Sequence, residues 1–250
     1  MKRLFNLIFL LTLLLSFQAK AEKIIFYTEN YPPYSFVNEQ TNQIDGLSTE
    51  IVREIMHRLD IDYQIKMAPW KRGYEITLAQ KNTCLYTTGK TAARTNLFQW
   101  ITPFSNTSLV LFSSKKKTLD IPSISHLKNY RIGGYLGDAT VDFLVQKGIS
   151  VETVNHDILN LKKLMNGRID LWATGEVTGL TLAQKNNVKA LHKAYVLTSM
   201  DSGIACNLNF PPIIADLMQK KLGALYKEGV INAIYDKYLP KLNIVPVYSD

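Results

Sequence analysis

The chain has 250 residues, with 29 Lys and Arg against 21 Asp and Glu for a formal net charge of +8, and 46% of it is hydrophobic. That length allows one large domain or two small ones, and the apolar share is enough for a packed core. Basic residues are scattered, with Lys115 to Lys117 as the one dense run, so the excess charge reads as a solvated surface and argues against a nucleic-acid partner.

Lys2 and Arg3 precede an apolar run from Leu4 to Phe17, and Ala19-Lys20-Ala21 follows as a small-x-small cleavage pattern. The run is shorter than the roughly 20 residues a bilayer span requires. Residues 1–21 are therefore expected to be a removable signal peptide, with the mature chain free in the periplasm and not tethered through a lipid, since no cysteine lies near the cleavage site. Removing this leader leaves a charge of +5 over 229 residues, a mild excess compatible with an anionic ligand. Cys84 and Cys206 are the two cysteines. In an oxidising compartment they are either one disulfide or two buried thiols, and composition does not choose between these.

Ile24 to Tyr27 reads as a buried strand that opens into the aromatic and proline-rich loop Glu29-Asn30-Tyr31-Pro32-Pro33-Tyr34. Asp45-Gly46 is a turn, Ser48 a candidate N-cap, and Leu47, Ile51, Ile55 and Leu59 recur at helical spacing. Tyr63 to Met67 predicts a strand, Trp70 to Gln80 a helix and Cys84 to Thr88 another strand. After the apolar strand Leu109 to Phe112 and the polar break at Ser113 to Lys117, the pattern restarts. Arg131 to Tyr135 is a strand, Gly137-Asp138-Ala139-Thr140 turns into a helix, and Val151 to Val154 is a strand. Ile158, Leu161, Leu164 and Met165 form a helix that Gly167 ends, before a strand from Ile169 to Ala173. Gly203 to Asn207 is a further strand, and Pro211-Pro212 opens a long helix with Ile214, Leu217, Leu222 and Leu225 inward. Val230 to Tyr238 is a last short helix. Strands alternating with helices predict an α/β fold with parallel pairing. If the tail rejoins the first unit, the chain crosses twice between units, near 112–115 and 199–203, and two crossings make a hinge.

These residues resemble family 3 of the extracellular solute-binding proteins, the type of the amino-acid receptors of ABC importers. The resemblance covers 22–240 and rests on Tyr31-Pro32-Pro33-Tyr34, Asp45-Gly46-Leu47, Thr91-Ala92-Ala93-Arg94 with Phe98 and Thr102-Pro103-Phe104, Arg131-Ile132-Gly133, Gly137-Asp138-Ala139-Thr140 and Gly167-Arg168-Ile169-Asp170, in that order. It implies a type II periplasmic binding protein, each lobe a mostly parallel sheet flanked by helices. Lobe 1 is then 22–112 plus 203–250 and lobe 2 is 113–202. It also puts Cys84 and Cys206 on one sheet, which implies a disulfide between them.

The resemblance assigns Arg94 to a ligand carboxylate, a role suited to a permanently charged group with two parallel donors. Thr87, Thr88 and Thr91 lie in the neighbouring segment, and the family's hydroxyl residues match Thr88 and Thr91. Trp70 matches an aromatic lid and Tyr31 another wall. Ala139 and Thr140 offer backbone amides at a helix start, although Asp138 as N-cap competes for them. Asp170 is expected to be structural. The family's amino-acid binders usually place an aspartate for the ligand's ammonium group where this chain has Gly175, followed by Glu176. A buried ammonium without a counter-charge is costly. Either Glu176, Asp138 or Glu29 substitutes, or the ligand lacks the amine.

The implied function is capture of a small polar, carboxylate-bearing solute by a monomer that serves an inner-membrane ABC permease, without cofactor or metal. A sensor that engages a membrane receptor in trans is the first rival. An enzyme is the second, since the same fold serves a dehydratase and a domain attached to glycan-cleaving lyases. His57, His126, His156 and His192 are scattered and form no catalytic or metal-binding spacing. Glu29 is the one carboxylate near the cleft that invites a test as a catalyst.

Overall fold

The structure is a computed structural model, described here for residues 23–114 and 119–239. The leader read at 1–21 and the Lys115 to Lys117 run lie outside the described residues.

Strand β1 (Ile24–Thr28) alternates buried and half-buried positions, as a strand covered on one face must. The loop after it carries a cis peptide between Pro32 and Pro33 and leads to a two-residue hairpin, β2 (Phe36–Val37) and β3 (Ile44–Asp45). Helix α1 (Leu47–Leu59) follows. It starts one residue before the expected Ser48 cap, because Gly46 occupies the N-cap and loop carbonyls satisfy the first amides: Leu47 donates to Pro33 O and Ser48 to Tyr34 O. The chain continues through β4 (Tyr63–Met67), α2 (Trp70–Ala79), β5 (Thr83–Gly89) and β6 (Gln99–Ser114). Then come β7 (Ile132–Tyr135), α3 (Ala139–Gln146), β8 (Glu152–Val154), α4 (Ile158–Met165), β9 (Leu171–Gly175) and α5 (Glu176–Lys185). Strand β10 (Leu191–Cys206) and helices α6 (Pro212–Lys227) and α7 (Val230–Tyr238) complete the chain.

One eight-stranded sheet runs in the order β4-β1-β5-β10-β6-β9-β7-β8. Its two ends are parallel, with β1 between β4 and β5 and β7 between β8 and β9. The middle is antiparallel, where β6 and β10, of 16 residues each, pair from Leu191 opposite Ser114 to Cys206 opposite Gln99. At one end of these long strands β10 pairs with β5, and at the other end β6 pairs with β9. Parallel pairing at both ends agrees with the expected α/β class, whereas only short pieces of β6 and β10 were expected as strands. Helix α5 was not anticipated from the sequence.

Hydrophobic cores form at both ends of the sheet. One gathers Phe26, Ile51, Tyr86, Met218 and Leu222, and those at the other end gather Val110, Leu161 and Trp172, and Leu111, Ile132 and Leu171. In α6 the inward stripe is Ala215, Met218, Leu222 and Leu225, while Leu217, expected inward, is 39% exposed. Steps of three and four residues from 215 keep to one face, and Leu217 falls off it.

Asp157 ties α4 to β9. Its carboxylate accepts from Asn160 Nδ2 at 3.0 Å, Trp172 Nε1 at 2.7 Å and Thr174 Oγ1 at 2.7 Å, all buried. Asp170 is structural as expected, pairing with the Arg131 guanidinium at 3.0 Å. Cys84 and Cys206 are register partners on β5 and β10 and form a disulfide, with Cα atoms 3.9 Å apart and 122 residues between them. The implied bridge is thus present, and it clamps the returning strand to the first parallel end.

Replacing Asp157 with alanine strands buried donors on Trp172 and Thr174 and should cost about 2–4 kcal/mol in chemical denaturation. Replacing both cysteines with alanine opens a long loop in the unfolded chain and should cost about 2–5 kcal/mol. A titration of denatured, unreduced protein should find no free thiol.

Candidate functional site

The first wall comes from the loop after β1. Thr28 Oγ1 donates to Ser35 Oγ at 2.8 Å, Ser35 Oγ donates to Glu29 O at 2.8 Å, and Tyr31 bridges Ser35 through the backbone. This knot fixes the direction in which Glu29, Tyr31 and Tyr34 project. All three line one small, narrow cavity, with room for about 40 Å³.

Arg94 lines the same cavity and is only 6% exposed. Its guanidinium carbon lies 5.3 Å from the Trp70 ring and 5.6 Å from the Tyr74 ring, so aromatic faces hold it on two sides. Nη2 donates to Gly137 O at 3.0 Å and to Asp142 Oδ2 at 2.6 Å, reaching the far side of the cleft. Trp70 makes the same crossing. Gly137 has φ of +78°, and a Cβ there would stand 2.8 Å from the Trp70 ring, so the bare backbone at 137 lets the indole approach.

Thr87 shows why β5 contributes where it does. The register between β5 and β10 shifts between Gly203 and Ile204, and Thr87 takes a left-handed φ of 61°, an uncommon and strained state for a β-branched residue. The bulge turns the Thr87 side chain into the cavity, where its buried hydroxyl has no partner. Thr88 instead is fully buried and donates to Leu85 O at 3.1 Å. Ser105, Thr107 and Leu109 enter from β6 at every second position, and Met200 and Ser202 from β10. Ser105 and Ser202 hydroxyls meet across the strands at 2.6 Å.

The opposite wall is Asp138, Ala139, Gly175 and Thr178. Asp138 caps α3 by accepting from Thr140 N at 2.7 Å, so the amide of Thr140 is already taken, as its capping role foresaw. Thr140 itself is fully buried and absent from the cavity wall. At Gly175 a Cβ would lie 3.3 Å from the Tyr31 hydroxyl. A side chain at 175 would therefore press on the Tyr31 hydroxyl. Glu176 points elsewhere and pairs with Lys193 at 2.6 Å.

Burial dominates the electrostatics. Glu29 is 7% exposed, and desolvation pushes its carboxyl up to about 8, with Asp138 and Asp157 adding to the rise and Tyr135 and Arg94 opposing it. Tyr135 hydrogen-bonds Glu29, while Glu29 Oε2 has no partner. Burial also raises Asp138 above the usual carboxylate range, against hydrogen bonds from Thr140. The hydroxyls of Thr107 and Thr178 face Tyr34 and Tyr31 without a well-formed hydrogen bond. Unsatisfied buried polar atoms are rare in folded proteins, and those of Glu29, Thr87, Thr107 and Thr178 meet at this cavity.

Of the residues singled out from sequence, Tyr31, Trp70, Thr87, Arg94, Ala139 and Gly175 meet at this cavity, and Thr88, Thr91, Thr140 and Glu176 do not line it. Sequence reasoning missed Ser105, Thr107, Met200, Ser202 and Thr178. The period-two run Ser105, Thr107, Leu109 was a signal for the first two. A second, roomier cavity of about 400 Å³ shares Glu29, Tyr31 and Thr178 with the first and adds Pro32, Met67, Tyr135, His156 and Asp157. Among the described residues no group of His, Cys, Asp or Glu is placed to hold a metal ion.

Several solved structures share this architecture. A histidine kinase sensor domain with similarity to periplasmic binding proteins superposes with a TM-score of 0.81 at 15% identity, covering 90% of this chain and 98% of its own. The P235GK mutant of ArgBP from T. maritima gives 0.78 at 19%, covering 88% and 96%. The arginine-, lysine-, histidine-binding protein ArtJ from Geobacillus stearothermophilus gives 0.78 at 16%, covering 88% and 96%. At these identities the likeness is one of fold, that of the type II periplasmic binding proteins. A comparison with curated proteins finds no match. The family model for bacterial extracellular solute-binding proteins, family 3, matches residues 24–241, and the chain belongs to that family.

Proposed function

We propose that this protein is a periplasmic receptor that encloses a small polar solute of the amino-acid type between two lobes and presents it to an inner-membrane ABC permease. The observation that carries this reading is the convergence of buried, unpartnered polar atoms of Glu29 and Thr87 on a cavity walled by Trp70, Tyr31 and Arg94. Solved binders of arginine and related amino acids with the same fold support the solute class. Family membership supports binding over catalysis. The lobes are those read from sequence, 22–112 with 203–250, and 113–202. Pairing of Leu109–Phe112 with β9 favours drawing the first boundary nearer 108.

Closure brings Arg94 and Trp70 from the first lobe against Gly137 and Asp142 of the second, and the solute shifts the balance toward that state by its differential affinity for it. In this reading a ligand carboxylate is held by Arg94 in competition with Asp142. The similarity to a kinase sensor domain favours one second reading, in which the same closed form is read by a membrane receptor.

A thermal-shift screen of the mature protein against amino acids, other carboxylates and polyamines tests the function, since a solute that binds the folded state raises the melting temperature by mass action. Replacing Arg94 with alanine should weaken a carboxylate-bearing hit about 100-fold in calorimetry. Circular dichroism should stay native. Asp142→Asn should tighten the same hit by freeing the guanidinium. Unchanged affinity in both variants would remove Arg94 from the site.

A further inference from the structure

Glu29 is the one acid in the site whose geometry calls for a partner that the protein does not supply. It stands on the wall common to both cavities, is 93% buried, and has an oxygen, Oε2, without a hydrogen bond. Arg94, the cation lining the first cavity, already donates to Asp142 and to Gly137 O. Position 175 has no acid, and the Tyr31 hydroxyl lies 3.3 Å from where a Cβ there would stand.

We propose that the Glu29 carboxylate is the subsite for a cationic nitrogen of the captured solute, an ammonium or guanidinium group, and that it replaces the acid missing at position 175. This rests on the solute-capture reading and narrows it to amine-bearing solutes. A positive nitrogen beside Oε2 supplies both a hydrogen bond and a counter-charge, which is the way a buried carboxylate becomes tolerable. The groups facing Glu29 are Tyr135 and Tyr31, the acids Asp138 and Asp157, Arg94, and His156 at the second cavity. With the carboxyl pushed up to about 8 by burial, the empty site holds a proton at neutral pH, and an incoming cation displaces it. Capture of a cation is therefore coupled to proton release.

The probes are cadaverine, L-arginine and the dicarboxylate glutarate, followed by thermal shift and calorimetry from pH 6 to 9. Cadaverine or L-arginine should stabilise the protein, with affinity rising about tenfold per pH unit below 8 and levelling above it. Glu29→Gln should abolish the pH dependence and weaken both cations at least 30-fold. The same variant without ligand should melt higher than the parent above pH 8, where a buried carboxylate is removed. That gain should shrink as pH falls and vanish near 4, where the carboxyl is protonated in the folded and unfolded chain alike. This second measurement also shows that the variant folds. Binding of glutarate alone, or cation binding that Glu29→Gln leaves intact, overturns the subsite while leaving solute capture standing. If none of the probes, nor any member of the wider amino-acid, carboxylate and polyamine screen, raises the melting temperature, solute capture falls with it.

Discussion

The pairing of β6 with β10 is the constraint on which the rest depends. Both strands run through the middle of the sheet, joined on one side to β5 and on the other to β9. Each end of the molecule has its own hydrophobic cores, and this ladder connects them. Where the strands pass from one core to the other their side chains have no core to fill, and Ser105, Thr107, Met200 and Ser202 face the cavity instead. The cavity floor is thus a by-product of the connection. Register breaks at Lys193/Tyr195, Val196/Thr198 and Ser202/Ile204 interrupt the ladder, and such irregularities bend and twist strands locally. The last of them sits beside the strained Thr87 backbone, so one irregularity both shapes the sheet and aims a hydroxyl. The Cys84–Cys206 bridge pins the register a few residues further on.

Polar groups in the cavity are arranged by opposite logics on its two sides. Arg94 is held in place: aromatic rings flank it, and an acid and a carbonyl from the opposite wall accept hydrogen bonds from its Nη2. Glu29 is left wanting, buried among other acids with one oxygen unpaired. The second condition opposes maximal stability at the site, because a desolvated acid raises the free energy of the empty protein. Perturbed acids of this kind concentrate where ligands bind. In the proposed capture, a solute that supplies the missing charge recovers that free energy.

The motifs that carry the family resemblance lie where the backbone has special duties. Tyr31-Pro32-Pro33-Tyr34 forms the knotted loop after β1, with carbonyls of Pro33 and Tyr34 capping α1. Gly137 meets Trp70 across the cleft, and Gly167 ends α4 with φ of +68°. Asp170 holds Arg131 at the start of β9 and β7.

The sequence by itself determined what depends on local pattern: alternating strands and helices, the aromatic loop, the cap at Asp138, the glycine after α4, and the placing of Arg94, Trp70 and Tyr31 near one another through the family resemblance. Tertiary structure alone decided what depends on register and on meetings between distant segments. Thr87 faces the cavity and Thr88 does not, because a bulge opposite Gly203 reverses the alternation at that point. Glu176, a candidate counter-charge, is spent on Lys193, which no spacing rule brings to it. Arg94 meets Asp142 from 48 residues away. Glu29 keeps one oxygen without a partner, and the acids Asp138 and Asp157 are brought near it from other parts of the chain. Local sequence sets backbone preferences over a few residues, whereas the charge around a buried group is the sum over everything that folding brings to it.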